Sequence, residues 1–304
     1  MIRIFIAAIL LLLIFQEIRS DETADFVNLQ GFVPQGISPA FITYEYERIF
    51  QTLAPDMPLS RSPLYVIYFS RKMMPEHAYW LPEWGGGGAI GSDTIVVAVD
   101  AEPLLEQNLR ITTVHELAHI VIKRIAPRVD IPRWFHEGSA LLLSGDITWR
   151  EQVVISQAMF AGSLLALDSI EKVNRFGAFK ARLAYAQSRL AIQVLVDTYG
   201  MEVLSELLDA ADSSGSFSSA IYNVLGLTPA ELENMIRTEI HKRSNPLIWL
   251  ADSYLLWIGI VLLFLLGFVV TRVRNRKKAL QMEREEARES RESRDESREM
   301  RVER

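Results

Sequence analysis

The order of apolar and polar positions predicts a few short strands followed by a long series of helices. Residues 64–69 and 95–99 are rich in β-branched and aromatic side chains and predict strands, while residues 38–54 predict a helix with one apolar side. Helical periodicity then continues along the chain, and the predicted helices are 112–125, 134–144, 149–161, 181–198, 201–211, 217–224 and 229–242. This order is typical of the α+β class, with a small N-terminal sheet and a helical C-terminal part.

Two apolar segments near the ends of the chain predict how the protein relates to a membrane. Residues 4–15 follow the positively charged Arg3 but are too few to span a bilayer, which is typical of a signal peptide or signal anchor at 1–20. Residues 254–271 form an uncharged apolar run of 18, the length of a single transmembrane helix. Basic residues crowd its far end, so the positive-inside rule predicts a cytoplasmic C-terminus; they are Arg272, Arg274, Arg276, Lys277 and Lys278.

These segments divide the chain into a predicted extracytoplasmic domain at 21–245, a lipid-embedded span at 254–271 and a cytoplasmic tail at 272–304. The predicted location is therefore the inner or plasma membrane, with the body facing outward or into a periplasm. A body of this length is sufficient for one sizeable core. The tail is nearly all Arg, Glu and Ser without an apolar seam, which is typical of a solvated helix or a disordered segment. A docking arm for a cytoplasmic partner is the alternative interpretation.

Composition and charge exclude several classes of function. The chain has no Cys, so neither disulfide bonds nor thiol chemistry is available to it. The tail holds 12 of the 32 basic residues and 9 of the 38 acidic ones, which leaves the part before residue 272 acidic. An acidic body without a basic patch does not predict nucleic acid as a partner.

The clearest candidate chemistry lies at residues 115–119, which are H-E-L-A-H. Residues i and i+4 lie on one face of a helix, so His115 and His119 can both direct imidazole nitrogens at one metal ion. Glu116 lies about 100° around the helix from His115, where its carboxylate can hold a water molecule and take its proton. Zn²⁺ is the metal that this arrangement predicts, and two core histidines with other partners are the alternative.

A third ligand has to come from another segment. The pattern H-E-x-x-H-x-x-G-x-x-H does not apply, because this chain has isoleucine at both later positions. Residues 134–140 are W-F-H-E-G-S-A, and seventeen residues separate His119 from Glu137. His136 and Glu137 are both candidate ligands, but neighbours on a helix point about 100° apart, so only one of them can face the metal.

H-E-L-A-H, the spacing of seventeen and W-F-x-E-G-x-A together resemble the gluzincins of the peptidase MA clan, in particular the small peptidase MA-like domains of bacterial extracytoplasmic proteins. M1 aminopeptidases have a similar W-L-x-E-G-x-A segment, one residue further along. The resemblance implies a zincin-like fold, Glu137 as the third zinc ligand and Tyr185 as the donor that stabilises the oxyanion. The alternatives are a helix-terminal acid for Glu137 and an ordinary core or surface tyrosine for Tyr185. Leu141 stands where some gluzincins have an Asp that orients a zinc-binding His, so another residue must do this.

The glycine-rich residues 85–91 precede the predicted strand at 95–99. Zincins use an edge strand before this helix to pair with an extended substrate, and glycine lets two backbones approach closely. We therefore predict a substrate-binding edge strand near 93–99, with a flexible loop leading to an ordinary strand as the alternative. M1 aminopeptidases have an acid in this segment that grips the substrate's amine. This chain has glycine there, so aminopeptidase activity does not follow from the resemblance.

The predicted protein is thus a membrane-anchored zinc metallopeptidase that hydrolyses peptide bonds in a peptide or protein substrate. The expected metal ligands are His115, His119 and Glu137, with Glu116 as the general base and Tyr185 as the oxyanion donor. The alternative is a catalytically inactive peptide-binding or scaffold protein that keeps the metallopeptidase fold. The intact Glu116 argues against that alternative, because a structural zinc site does not need it.

Overall fold

The computed structural model describes residues 22–73, 86–100, 106–145, 149–243 and 254–302. The predicted signal segment at 1–20 lies outside the described residues. The chain divides into two compact units, with the boundary between Asn245 and Pro246.

A five-stranded sheet forms the N-terminal part of the first unit. Its strands are β1 (Glu22–Ala24), β2 (Val27–Gly31), β3 (Leu64–Phe69), β4 (Gly87–Ile90) and β5 (Thr94–Ala98). The order across the sheet is β1-β2-β3-β5-β4. β2, β3 and β5 are mutually parallel, whereas β1 and β4 run antiparallel to their neighbours at the two edges. The parallel strands are rich in buried apolar residues, as expected for strands covered on both faces.

The predicted position of the edge strand is wrong. β5 pairs with β3 on one side and with β4 on the other, so the strand predicted near 93–99 is an interior strand. The edge is formed instead by the glycine-rich segment, in which Gly88 lies opposite Val96 and Ala89 opposite Ile95. Glycine is depleted in strands, so side-chain pattern alone favoured β5. Pairing with β5 holds β4 extended.

Helices make up the rest of the first unit, which confirms the predicted α+β class. They are α1 (Pro39–Leu53), α2 (Glu106–Ile125), α3 (Arg133–Ser144), α4 (Trp149–Phe160), α5 (Ala178–Tyr199), α6 (Val203–Ser214), α7 (Phe217–Leu225) and α8 (Pro229–Arg243). A 3-10 helix at Leu167–Arg175 precedes α5 and was not predicted.

The predicted start of α2 at residue 112 is too late, because the helix already includes Glu106. Thr113 is fully buried inside the helix, and its hydroxyl donates to the Leu109 carbonyl oxygen over 2.8 Å. The Tyr68 hydroxyl on β3 then donates to Thr113 Oγ1 over 2.9 Å. Since these polar groups satisfy one another away from water, they tie α2 to the sheet just before the histidine motif.

The last turn of α2 is held by Arg124. Its guanidinium donates to three oxygens on other segments, which are the Ser92 carbonyl (2.7 Å), the Pro63 carbonyl (2.8 Å) and the Tyr46 hydroxyl (3.1 Å). The planar fork of an arginine suits such divergent acceptors. Side chains therefore anchor α2 on both sides of the histidine motif, at Thr113 and at Arg124.

The second unit contains one long helix, α9 (Tyr254–Val302). Its segment Leu256–Arg284 is long and apolar enough to cross a membrane, with a mean hydropathy of 2.4 in its apolar window. The predicted span at 254–271 falls within α9, and the described part of the tail is helical. Most of the large apolar side chains in the described part of this helix are exposed.

Candidate metal centre

The helix α2 places two histidines one turn apart on the same face. The Nε2 atoms of His115 and His119 lie 3.2 Å apart, and the rings meet edge to face with centroids 4.9 Å apart. Each side chain is 16% exposed, so both imidazoles reach an accessible side of the helix.

Glu137 on α3 completes a triangle with these two nitrogens. Its Oε2 atom lies 3.3 Å from His115 Nε2 and 3.4 Å from His119 Nε2. The ligand atoms of His115, His119 and Glu137 all lie within 4.8 Å of one another, although seventeen residues separate His119 from Glu137 in the sequence. Of the two candidates for the third position, it is therefore Glu137 that faces the histidine pair.

The triangle fits a zinc ion. Tetrahedral ligands at bond lengths of about 2.0–2.1 Å lie about 3.3–3.4 Å from one another, which matches the distances among His115, His119 and Glu137. Glu137 Oε2 is also a buried acceptor without a hydrogen-bond donor in the described part of the chain. A buried charged oxygen is costly unless a cation or a donor compensates it. Two imidazoles and one carboxylate are a donor set of catalytic zinc sites, which leave a position for water.

Glu116 lies on α2 beside this triangle and is buried, with 6% of its surface exposed. Burial raises the pKa of its carboxyl, and the neighbouring charges of His115 and His119 oppose that effect only in part. A carboxylate whose pKa is shifted toward neutrality is a better proton acceptor near neutral pH. The position and environment of Glu116 are therefore suitable for a general base.

The edge strand β4 runs directly past Glu116. A Cβ atom built on Gly87 would lie 3.2 Å from Glu116 Oε1, 3.1 Å from its Cγ and 3.0 Å from the Val96 carbonyl oxygen. These contacts are tighter than ordinary side-chain packing allows, so a larger residue would displace the carboxylate or the strand. Glycine at this position keeps the space beside Glu116 open.

Arg133 lies one helical turn before Glu137 on α3. Its Nε atom is 2.7 Å from Glu137 Oε1, the carboxylate oxygen not directed at the histidines. Burial alone would raise the pKa of Glu137, but the charge of His119, the close polar contacts with His115 and His119, and the charge of Arg133 lower it well below its usual range. The carboxyl group of Glu137 is therefore ionised, as a metal ligand has to be.

Tyr185 on α5 joins the site through Arg133, with which its hydroxyl forms a hydrogen bond. Burial raises the pKa of Tyr185, and the negative charge of Glu137 raises it further. The phenol therefore keeps its proton at physiological pH and can act as a hydrogen-bond donor. The structure thus brings the predicted Tyr185 close to the other site residues.

His136 occupies the far side of His119. Their Nδ1 atoms lie 3.4 Å apart, and the ring centroids are 5.5 Å apart. Burial, followed by the charge of His119, lowers the pKa of His136 to about 3, so its ring is neutral and its Nδ1 can accept a hydrogen bond from His119 Nδ1–H. His136 is thus placed where it can orient the ring of His119, and the sequence interpretation did not assign this position to it.

The sequence interpretation also assigned no role to Gly138. A Cβ atom at this position would lie 2.3 Å from the Ser188 carbonyl oxygen and 2.5 Å from Ile192 Cγ1 on α5. Only glycine allows α3 and α5 to approach so closely. Tyr185 lies one turn before Ser188, so this close crossing brings its phenol within reach of Arg133. The G in W-F-H-E-G was the only sequence signal for it.

Comparisons with known proteins place these features in a family. A crystal structure of a two-domain M1 zinc metallopeptidase mutant bound to L-arginine is similar at 15% identity and a TM-score of 0.39, over 70% of this chain and 47% of that chain. The chain thus spans about half the length of that protein. No curated protein matches the chain significantly. The family model of the Peptidase MA superfamily matches residues 53–242, more than half of the 304 residues, and confirms the predicted resemblance. The chain therefore belongs to the Peptidase MA superfamily.

Proposed function

We propose that this protein is a membrane-anchored, zinc-dependent metallopeptidase that hydrolyses peptide bonds on the extracytoplasmic side of a membrane. The observation that carries the proposal is the triangle of His115 Nε2, His119 Nε2 and Glu137 Oε2, with the buried Glu116 beside it. These residues match a three-ligand site that leaves one position free, and Glu116 is not needed as a ligand.

His115, His119 and Glu137 would hold the ion. When bound, zinc supplies a Lewis acid that acidifies a water molecule and polarises the scissile carbonyl. Glu116 takes the proton of the attacking water and then delivers it to the leaving amine. Tyr185 keeps its phenolic proton and donates it in a hydrogen bond to the carbonyl oxygen as negative charge develops there.

The edge strand β4 is the proposed binding surface for the substrate backbone. It lies at one end of the sheet and passes beside Glu116 at Gly87. An extended peptide that pairs with such an edge presents its carbonyl groups in a regular row. Because Gly87 has no side chain, the peptide can lie close to the base.

The full-length protein, purified in detergent, provides the test. We expect about one zinc ion per chain and chelator-sensitive cleavage of a peptide library. Glu116→Gln is the matched variant, because it keeps the size of the side chain and all three proposed ligands. It should keep the zinc and lose about 10²–10⁴-fold of the cleavage rate, the usual contribution of a general base. Zinc binding by the wild type without any cleavage would instead support the inactive peptide-binding or scaffold alternative.

We propose further that α9 anchors the protein, with the catalytic unit outside the cytoplasm and the tail inside. The length and hydropathy of Leu256–Arg284 and the basic residues after the apolar run support this orientation. Because the chain has no Cys, a single introduced thiol is a unique label. Asp56→Cys in the body should react in intact cells with a maleimide that does not cross membranes, whereas Ser297→Cys in the tail should react only after lysis. The reverse pattern would contradict the orientation.

A further inference from the structure

We infer that Arg133 is a positioning residue that makes Glu137 bind the metal through one oxygen and holds the hydroxyl of Tyr185 toward the reacting carbonyl. The inference rests on the proposed function, since it concerns the same metal centre. It assigns a role to a residue outside the ligands, the base and the oxyanion donor.

The first step concerns the two oxygens of Glu137. Arg133 Nε lies 2.7 Å from Oε1, whereas Oε2 faces the Nε2 atoms of His115 and His119 at 3.3 and 3.4 Å. The side chain of Glu137 is only 2% exposed, so water does not compete for either oxygen. This ion pair places the positive charge of Arg133 on the Oε1 side of the carboxylate and leaves Oε2 for the metal.

The second step concerns Tyr185. An arginine side chain has N–H donors and no acceptor, so in its hydrogen bond with Tyr185 the phenolic oxygen must accept. That bond does not use the phenol's own proton. Arg133 therefore fixes the position of the oxygen while the O–H proton stays available for the substrate. Because Arg133 contacts both Glu137 and Tyr185, one guanidinium sets the geometry of a metal ligand and of the oxyanion donor together.

The third step is that Arg133 is itself held in place. Its Nη2 atom donates to Asn174 Oδ1 over 3.3 Å, and its backbone N–H donates to Glu171 Oε1 over 2.6 Å. Both partners lie in the 3-10 helix Leu167–Arg175. The guanidinium thus connects α3, α5 and the 3-10 helix, and a lysine, with one ammonium group, cannot reproduce this planar set of contacts.

The test uses the full-length protein in detergent with Arg133→Met and Arg133→Lys. Arg237→Met is the matched control, since Arg237 forms the same kind of ion pair with Glu233 on α8, at 2.8 Å and four residues apart. Zinc affinity is measured by competition with a chromogenic chelator. We expect Arg133→Met to weaken zinc binding about 10–100-fold, Arg133→Lys to weaken it less, and Arg237→Met to leave it unchanged. Unchanged zinc affinity in Arg133→Met would overturn the inference.

Zinc-saturated kinetics separate positioning from a purely structural role. Arg133→Met should lower kcat with little change in KM, and the combined loss in Arg133→Met with Tyr185→Phe should be smaller than the product of the two single losses. If the loss of kcat in the double variant equals the product of the two single losses, the link between Arg133 and Tyr185 is overturned. If the methionine variant does not fold, Arg133→Lys takes its place in each comparison.

A crystal structure of the zinc-loaded Arg133→Met variant tests whether Arg133 positions Glu137 and Tyr185, and it does not require an activity measurement. The inference requires that Glu137 binds through both oxygens, or that the Tyr185 hydroxyl moves, once Arg133 is replaced. An unchanged Glu137 and Tyr185 would overturn it. Absence of cleavage by the wild type would instead count against the proposed function. The zinc affinities and the crystal structure would still test the role of Arg133.

Discussion

Gly138 on α3 lies against the main chain of Ser188 on α5, so closely that a Cβ atom would approach the Ser188 carbonyl oxygen to 2.3 Å. A backbone oxygen cannot rotate away as a flexible side chain can. This contact therefore sets the distance between the helix that carries Glu137 and the helix that carries Tyr185.

Replacing this glycine should separate the two helices. Gly138→Ala is expected to lower the free energy of unfolding by about 1–3 kcal/mol, the usual cost of overpacking, and to reduce kcat because Tyr185 moves away from Arg133. Chemical denaturation and peptide-cleavage kinetics measure the two effects. Ser139→Ala is the control: Ser139 is the next residue along α3 and fully buried, and its hydroxyl has no hydrogen-bond partner among the described residues. That variant should be neutral or slightly stabilised. Equal stability of Gly138→Ala and wild type would contradict the close approach of α3 to α5 at Gly138.

His136 should affect zinc affinity through His119. His136→Phe keeps a ring but has no acceptor for His119 Nδ1, so we expect zinc binding to weaken about 10–100-fold. His136→Asn restores an acceptor and should recover much of this loss. Chelator competition measures both. His241→Phe is the control, because His241 contacts the Arg237 carbonyl oxygen on α8. Equal affinities of His136→Phe and wild type would rule out the orienting role.

The same residue predicts a pH dependence of stability once zinc is removed. Burial lowers the pKa of His136 to about 3, whereas an unfolded histidine titrates near pH 6.5. As the pH falls below about 6.5, the unfolded chain gains a proton that the folded chain does not. Stability that is present above this pH is therefore lost as the pH falls, by at most about 1.4 kcal/mol per pH unit.

Urea denaturation in the presence of a chelator, between about pH 7 and 5, measures this loss. His136→Asn removes the titrating group and should show a shallower decrease in stability than the wild type. Parallel curves for the two proteins would mean that His136 does not account for the slope.

Gly87 should control the position of the general base. A Cβ atom in Gly87→Ala presses on Glu116 at 3.1–3.2 Å, so a shift of a few tenths of an ångström is expected. Because misplacement by about 1 Å can cost 10²-fold, we expect kcat to fall roughly tenfold while zinc stays bound. Gly86→Ala is the matched control, since among the described residues its Cβ would meet only the Thr112 side chain, at 3.4 Å. A Gly87→Ala enzyme as fast as Gly86→Ala would contradict the tight fit beside Glu116.

Local features were predictable because helix geometry sets them. The i and i+4 spacing of His115 and His119 determines that they share a face, and the apolar periodicity of α3 and α5 determined most of their lengths. The resemblance carried by H-E-L-A-H and W-F-x-E-G-x-A then selected Glu137 and Tyr185. The match to the Peptidase MA superfamily confirms that resemblance. The catalytic roles of these residues remain predictions.

The edge strand illustrates what the pattern could not decide. β-Branched residues predicted β5 correctly as a strand, but the position of a strand within a sheet depends on partners distant in sequence. β4 has no apolar signature, and only its pairing with β5 makes it extended. The edge of the sheet therefore lies in the glycine-rich β4 rather than in the strand that the pattern favoured.

The sequence by itself determined that His115 and His119 share one face of a helix, because a periodic helix fixes the relation between neighbours a few positions apart. It also determined that the C-terminal apolar segment is long enough to cross a membrane. Only the tertiary structure decided that His136 lies behind His119 and that Arg133 joins Glu137 to Tyr185. These contacts depend on how closely α3 packs against α2 and α5. The side chains at the helix crossings set that distance, and at Gly138 the absence of a side chain allows the close approach.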